Sequence, residues 1–337
     1  MFSSLNLEKI FNEFNSRKIL VIGDVMIDSY LWGNTRRISP EAPVPIVSNI
    51  LKESRLGGAA NVALNIKTMG AIPILCTVIG NDRKGREFLD LLKNQNLTDL
   101  GIVIQKKRET TRKTRVISGN QHLLRIDEET NEFINSESEK SLLEFALQLI
   151  EKKSINAVIF QDYDKGVITA NIIKQITELA NKNNVVVLVD PKKRNFLTYE
   201  KVTLFKPNFK ELNEGLKTDL NKNDLGGIAE AMEQLRQLKK HKMIMLTLSE
   251  MGIMINKNSK YHHISAEIRD ITDVSGAGDT VISIAGLCLA TGLSPLDTAA
   301  LSNLAGGLVC EKIGVVPIDK QKLLKEAIIV KSEETGN

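Results

Sequence analysis

Short apolar runs, many rich in β-branched residues, alternate with amphipathic stretches along almost the whole chain. The runs are KILVIGD (18–24), IPILCTVIG (72–80), NAVIFQD (156–162), NVVVLVD (184–190) and KMIMLTL (242–248), and helical spacing of apolar residues occurs near 59–69, 83–95, 137–152, 169–182 and 224–240. Runs that are apolar at consecutive positions suit strands buried on both faces. Their alternation with helices predicts an α/β fold, a mostly parallel sheet flanked by helices on both faces. No long Pro/Gly/Ser linker, internal repeat or low-complexity segment interrupts the rhythm, so residues 1–337 read as a single domain.

Two regions break the pattern. Segment 29–49 carries three of the eight prolines, and segment 112–127 reads as two short strands around the turn Ser118-Gly119-Asn120. Neither suits a central parallel strand. They are expected to leave the main sheet and form a small β lid, whose open edge could pair with a second copy and close a homodimer.

Composition narrows the functional classes. The 45 basic and 41 acidic residues are interspersed and only 4% of residues are aromatic, so no nucleic-acid-binding stripe emerges. Local clusters such as Lys106-Lys107-Arg108 and Arg112-Lys113 could attract a phosphorylated substrate or serve as solvated loop. Cys76, Cys288 and Cys310 lie far apart in apolar surroundings and read as core thiols of a reducing compartment. The N-terminal stretch lacks the apolar core of a signal peptide, and no run approaches the roughly 20 residues needed to span a bilayer. A cytoplasmic protein is expected.

The stretch Asp273-Val274-Ser275-Gly276-Ala277-Gly278-Asp279-Thr280 carries the clearest chemistry. Small residues at 275–278 leave backbone amides bare at the start of a helix, where they and the helix dipole favour an anion. A carboxylate at Asp279 would lie beside a phosphoryl group bound there. Its use would be to take a proton from an attacking hydroxyl, against the alternative of simple helix capping. No G-x-x-x-x-G-K-[ST] loop accompanies this site, which disfavours a P-loop kinase. His122, His241, His262 and His263 form no ligand pattern and read as surface or packing residues.

Gly276-Ala277-Gly278-Asp279 resembles the C-terminal signature of the ribokinase/phosphofructokinase-B family, and Gly57-Gly58-Ala59-Ala60-Asn61-Val62-Ala63 resembles its N-terminal glycine signature. Asn208-Phe209-Lys210-Glu211 is similar to the family's N-x-x-E motif, and the resemblance runs from about residue 17 to 320. Within the family, the blocks Gly23–Asp28, Arg37–Pro45, 120–127, Asp162–Gly166 and Asp190–Lys192 most resemble D-glycero-β-D-manno-heptose-7-phosphate kinases. The implied fold is ribokinase-like. The implied reaction is transfer of the ATP γ-phosphoryl group to the anomeric C1 hydroxyl of the heptose phosphate, for lipopolysaccharide-core precursors. Relatives often carry a second, nucleotidyltransferase domain with an H-x-G-H motif. This sequence shows none, so a separate nucleotidyltransferase is expected.

The resemblance also implies roles. Asp279 would be the base, with the amides of Gly276, Ala277 and Gly278 as the anion cradle. Asp28, Gly57, Gly58 and Asn61 would bind the sugar, although Asp28 could equally cap a turn. Arg125, Lys165 and Lys192 would supply charge near the 7-phosphate, with Asp162 among the substrate residues. Asn208 and Glu211 would order Mg²⁺ through water, although the same spacing is a capping-box pattern. Thr247, Ser249, Gly252 and Asn303 would line the nucleotide site, with Ser249-Glu250-Met251 departing from the commoner glycine-containing version. Asp273 matches a monovalent-cation position of some members. The rivals are a kinase of the same fold acting on another sugar, sugar phosphate or nucleoside, and a non-catalytic sugar-phosphate sensor.

Overall fold

In the apolar runs alternate side chains point to opposite faces, and both sets are buried: Ile19 and Val21 go to one core, Leu20 and Ile22 to the other. The computed structural model describes residues 2, 5–119, 121–257, 260–267 and 269–335, so Asn120 of the anticipated turn lies outside the described residues. Its elements in chain order are α1 (Leu7–Glu13), β1 (Lys18–Gly23), β2 (Val25–Ile38), β3 (Pro45–Gly58), α2 (Ala59–Thr68), β4 (Ile72–Gly80), α3 (Arg83–Asn94), β5 (Gly101–Gln105), β6 (Arg112–Ser118), β7 (Gln121–Glu128), α4 (Ser136–Glu151) and β8 (Ala157–Gln161). They continue with α5 (Ala170–Lys182), β9 (Val186–Asp190), β10 (Leu204–Phe205), α6 (Phe209–Leu216), α7 (Leu225–Lys239), β11 (Met243–Thr247), β12 (Ile253–Lys257), β13 (Lys260–Ile264), α8 (Ala277–Ala290), α9 (Pro295–Val309) and α10 (Lys320–Thr335).

The large sheet has nine strands in the order β13-β12-β11-β10-β9-β8-β1-β4-β5. It is parallel from β11 to β5, and β12 and β13 add an antiparallel edge. One face packs against α1, α2, α3, α8, α9 and α10, the other against α4, α5, α6 and α7. Gly286 lets α8 sit close to the sheet, since an added Cβ would come within 2.8 Å of Ile159. The five apolar runs became β1, β4, β8, β9 and β11. The strands without a strong apolar signal are the two-residue β10, the polar β13 (KYHHI), β12 and the edge strand β5. All three cysteines are free and buried. No helix among the described residues is long and apolar enough to cross a membrane.

A second sheet of four strands has the order β3-β2-β6-β7. Segments 29–49 and 112–127 fall in it, but its first two strands are longer than proline placement suggested, each running 14 residues. The prolines at 40 and 43 lie in the exposed connection at its tip, where no ladder donor is needed. Asp24, between β1 and β2, is where the chain passes from one sheet to the other. Its N–H donates to the Gln161 carbonyl at the end of β8, and its carbonyl accepts from Ala59 at the start of α2.

His241, between α7 and β11, is 2% exposed and stacks on Phe205 at 4.7 Å. Neither ring nitrogen meets a hydrogen-bond partner. Burial pushes its imidazole down to about 3, with the nearby Lys239 charge acting in the same direction. The unfolded chain therefore takes up a proton near pH 6.5 that the folded protein refuses until about pH 3, and stability falls as pH drops through that window. His241→Leu should match or exceed wild-type stability at about pH 8 and lose less of it on acidification to about pH 5, because it removes an unpaired polar group. Urea unfolding at the two pH values checks this.

Candidate active site

The register of the parallel strands sets Gly23, Gln161 and Asp190 side by side at the carboxyl end of the large sheet. Ligand sites of open α/β sheets lie there. Helix α8 starts above this row with Gly276 as its N-cap, in a left-handed conformation at φ 82° where an added Cβ would also press on Asn61 at 3.1 Å. The amides of Gly276, Gly278 and Asp279 have no acceptor among the described residues, whereas that of Ala277 bonds the Val274 carbonyl at 3.3 Å. Free amides at a helix start can hold an anion; of the expected set 276–278 the amides of Gly276 and Gly278 are free and that of Ala277 is engaged, and the Asp279 amide is free as well.

The Asp279 side chain is 2% exposed and held by three donors. Asn61 Nδ2 reaches Oδ2 at 2.8 Å, while Gln161 Nε2 and the Tyr163 hydroxyl reach Oδ1 at 3.0 and 2.7 Å. Asn61 is aimed by Asn65, whose Nδ2 donates to the Asn61 carbonyl and to its side-chain oxygen. Burial pushes the Asp279 carboxyl up to about 7. Asp190 and Asp28 push the same way, and the Asn61 and Tyr163 bonds pull against them. A carboxyl tuned near neutrality suits a general base.

Beside the helix start, Asp190 pairs with the almost fully buried Lys206 at 3.0 Å, and Gln161 also donates to Asp190 at 3.3 Å. A Cβ on Gly278 would lie 3.7 Å from Asp190 Oδ2 and 3.9 Å from Lys206 Nζ, so this pair borders the amide cradle. Lys192 pairs with Glu211 and lies 5.5 Å above the Tyr163 ring. Burial works against its charge, but Asp190 and Glu211 prevail and hold its pKa above the ordinary lysine value. Asn208 and Glu211 form the full capping box of α6, with bonds of 2.8 and 2.9 Å. Thr247 bridges to Asn208. Ser249 stands at φ 54°, a left-handed position that a glycine would take without strain. Gly252 packs on the Ile264 carbonyl and Asn303 donates to the Ser265 carbonyl at 2.9 Å, so the four nucleotide-side candidates gather around the ends of β11 and β13.

On the smaller sheet, Asp28 forms a buried ion pair with Arg115 of β6, and Gly57 gives it room, since an added Cβ would lie 2.1 Å from Asp28 Oδ2. Arg115 also lies 5.5 Å over the Tyr30 ring. Three candidates are placed elsewhere. Arg125 is exposed on edge strand β7 and paired with Asp127. Lys165 is engaged by Glu129 and Asn131. Asp162 turns into the core, where Asn195, Tyr199 and the Asp164 amide occupy its carboxylate. In that block the neighbours Gln161 and Tyr163 reach Asp279 instead. Asp273 accepts from Ser275 and Gly314 and has His122 at 3.7 Å.

The description pfkB family carbohydrate kinase matches residues 16–321 of this chain. The chain belongs to that family. Among curated proteins it is 38% identical over 299 residues to a "Bifunctional protein HldE" of Helicobacter pylori (strain G27), an alignment covering 88% of this chain and 64% of that protein. A protein of the same name from Desulfatibacillum aliphaticivorans is 38% identical over 316 residues, covering 92% and 63%. The chain thus spans less than two thirds of the length of these relatives. Its fold is similar to that of Escherichia coli phosphofructokinase-2, solved in complex with potassium (TM-score 0.74, 19% identity, covering 92% and 98%). It is also similar to a putative ribokinase from Agrobacterium tumefaciens (TM-score 0.74, 16% identity, covering 94% and 99%).

Several groups of this pfkB-family site escaped the sequence reading. Arg115 and Tyr163 lie inside stretches used only as pattern. Lys206 could have been suspected from a charge set directly after the buried strand β10, and Asp190 from its place at the end of an unbroken apolar run. Gln161 carried no signal of its own.

Proposed function

We propose that this pfkB-family kinase uses ATP to phosphorylate the C1 hydroxyl of D-glycero-β-D-manno-heptose 7-phosphate. The observation that carries a kinase reading is the Asp279 carboxylate, held near neutral pKa beside free amides of a helix start and bonded by Asn61 of α2, the helix that follows Gly57-Gly58. Support for the sugar comes from the sequence blocks that resemble heptose-7-phosphate kinases and from 38% identity to the bifunctional relatives. The sensor alternative gains nothing from a site in which every part of the base is in place.

In the proposed reaction the C1 hydroxyl lies between Asn61 and Asp28 and attacks the γ-phosphorus. Its proton passes to Asp279, and the bond to the bridging oxygen breaks with its electron pair leaving on ADP. The amides of Gly276, Gly278 and Asp279 stabilise charge on the phosphoryl oxygens. Arg115, buried beside Asp28, replaces Arg125 as the candidate for charge at the sugar wall, since a bidentate guanidinium suits phosphate. Lys192, expected near the 7-phosphate, pairs with Glu211 of the N-x-x-E motif, so it is proposed with Lys206 for the nucleotide phosphates instead. Among the described residues no cluster of three His, Cys, Asp or Glu side chains could cage a metal. Glu211, with one donor on each oxygen, still has lone pairs for metal-bound water, so Mg²⁺ fits there through water together with Asn208. Bound Mg²⁺ would supply charge neutralisation for the ATP phosphates. Asp273 has less capacity left for a monovalent cation, its oxygens already accepting three bonds.

The smaller sheet is proposed as a homodimer surface. Cross-strand register puts Leu31, Val116 and Leu124 in one row, and Leu124 and Ile126 of edge strand β7 are 56% and 47% exposed. Leu124→Glu should turn a dimer into a monomer in light scattering at micromolar concentration. A wild-type monomer would refute the surface.

Substrate choice is tested by kcat/KM on a panel in which heptose 7-phosphate should outrank ribose, fructose 6-phosphate and adenosine. A better rate on any of the three would reject the heptose assignment and keep the family. Asp279→Asn should fold and bind ATP normally while the rate falls roughly 10²–10⁴-fold, the usual contribution of a positioned base. Near-normal kcat in that variant, with an unchanged melting temperature, would show that the base lies elsewhere.

A further inference from the structure

The two oxygens of Asp279 are not equivalent. A carboxylate oxygen accepts about two hydrogen bonds. Oδ1 already has two, from Gln161 Nε2 and the Tyr163 hydroxyl, whereas Oδ2 has one, from Asn61. We propose that Tyr163, with Gln161, is a positioning residue that occupies Oδ1 and leaves the free lone pair of Oδ2, on the Asn61 side, to receive the proton of the attacking hydroxyl. This rests on Asp279 being the base.

Tyr163 is itself firmly placed. Its backbone N–H donates to Asp24 Oδ2 at 2.8 Å, and the same carboxylate takes the amides of Lys165 and Val167 at 3.1 and 3.0 Å, fixing the loop that follows β8. The ring carries the Lys192 ammonium at 5.5 Å, and Lys192 pairs with Glu211. One aromatic side chain therefore touches the base at its hydroxyl and the nucleotide-side charge network at its face. Burial raises the pKa of the Tyr163 phenol well above its ordinary value, with the Asp279 charge adding to it, so the phenol stays a proton donor.

The hydroxyl bond stabilises the ionised carboxylate and so opposes the burial that makes Asp279 a weak acid. The other charged groups around the carboxyl are Asp190 at the end of β9, Asp28 of β2, and Lys192 and Lys206 on the nucleotide side. Removing the hydroxyl leaves all four in place. The base should then hold its proton to higher pH, and activity should fail earlier on acidification. If the sugar hydroxyl binds Oδ2, the phenol stays on Oδ1 in the complex. If it binds Oδ1, it must displace the phenol.

The test is the pH dependence of kcat/KM and kcat for Tyr163→Phe, using Mg-ATP and the best substrate of the panel. The first quantity reports the free enzyme and the second the substrate complex. The acid limb of both should move to higher pH, so that the loss relative to wild type deepens about tenfold between about pH 9 and about pH 6, the factor expected for a hydrogen bond to a charged group. Gln161→Leu should move both limbs in the same direction and stands in if Tyr163→Phe does not fold. A shift in kcat/KM alone means that substrate displaces the phenol and overturns the Oδ2 assignment. An equal loss at every pH, or none, overturns the positioning role. Asp279→Asn, run alongside, separates this from the base reading: if it keeps the wild-type acid limb, the base reading itself is lost.

Discussion

A carboxylate cut off from water has to be solvated by the protein, and the architecture around Asp279 is arranged to do so. Its three donors come from α2, from the end of β8 and from the loop after β8, and each is placed by a different constraint. Asn61 is aimed by Asn65 one helical turn along α2. Gln161 is the last residue of a strand whose register is fixed by β1 and β9. Tyr163 is held through its backbone by Asp24. Shift the sheet register by one residue, and Gln161 would turn to the other face. The Asp279 carboxylate would then lose a donor without gaining water.

The same reasoning explains the density of charge at this end of the sheet. Asp28, Asp190 and Asp279 would repel one another in a site this buried, and Arg115 and Lys206 each pair with one of the first two. Breaking such a pair leaves an uncompensated buried charge, which costs several kcal/mol. The arrangement therefore persists only while both partners are present. That is an expensive way to stabilise a fold but a direct way to keep one carboxyl close to neutrality and ready to exchange a proton.

Much of this was legible in the sequence because it depends on local pattern. The apolar runs set the sheet, and the small-residue turn before Asp279 marked the start of α8. The glycine and GAGD blocks, far apart in the sequence and paired there by resemblance, do meet in the fold, where Asn61 bonds Asp279. What stayed hidden depended on orientation. In Gln161-Asp162-Tyr163 three polar residues follow a buried strand, and sequence gives no way to decide which of them turn toward the base. Asp162 looked the more chemical choice, yet its carboxylate is consumed by Asn195 and Tyr199 in the core. Arg115 and Arg125 pose the same problem on β6 and β7: directly opposite in register, one is buried against Asp28 and the other exposed beside Asp127. The N-x-x-E motif shows a different limit, since the capping box forms in full while Glu211 also meets Lys192. The capping role therefore does not use up Glu211, whose carboxylate is left with a side-chain partner outside its own helix.

Asp24 joins these levels. Its backbone carries the chain from the large sheet to the smaller one, with its N–H on the Gln161 carbonyl and its own carbonyl on the Ala59 amide. Its carboxylate gathers the amides of residues 163, 165 and 167. The strand end that carries Gln161, the helix that carries Asn61 and the loop that carries Tyr163 all meet at this junction, and these three residues are the donors to Asp279. Asp28, paired with Arg115, lies four residues further along the chain on β2. A single aspartate at the point where the two sheets meet therefore ties the segments that solvate the buried Asp279 carboxylate to the strand that carries Asp28.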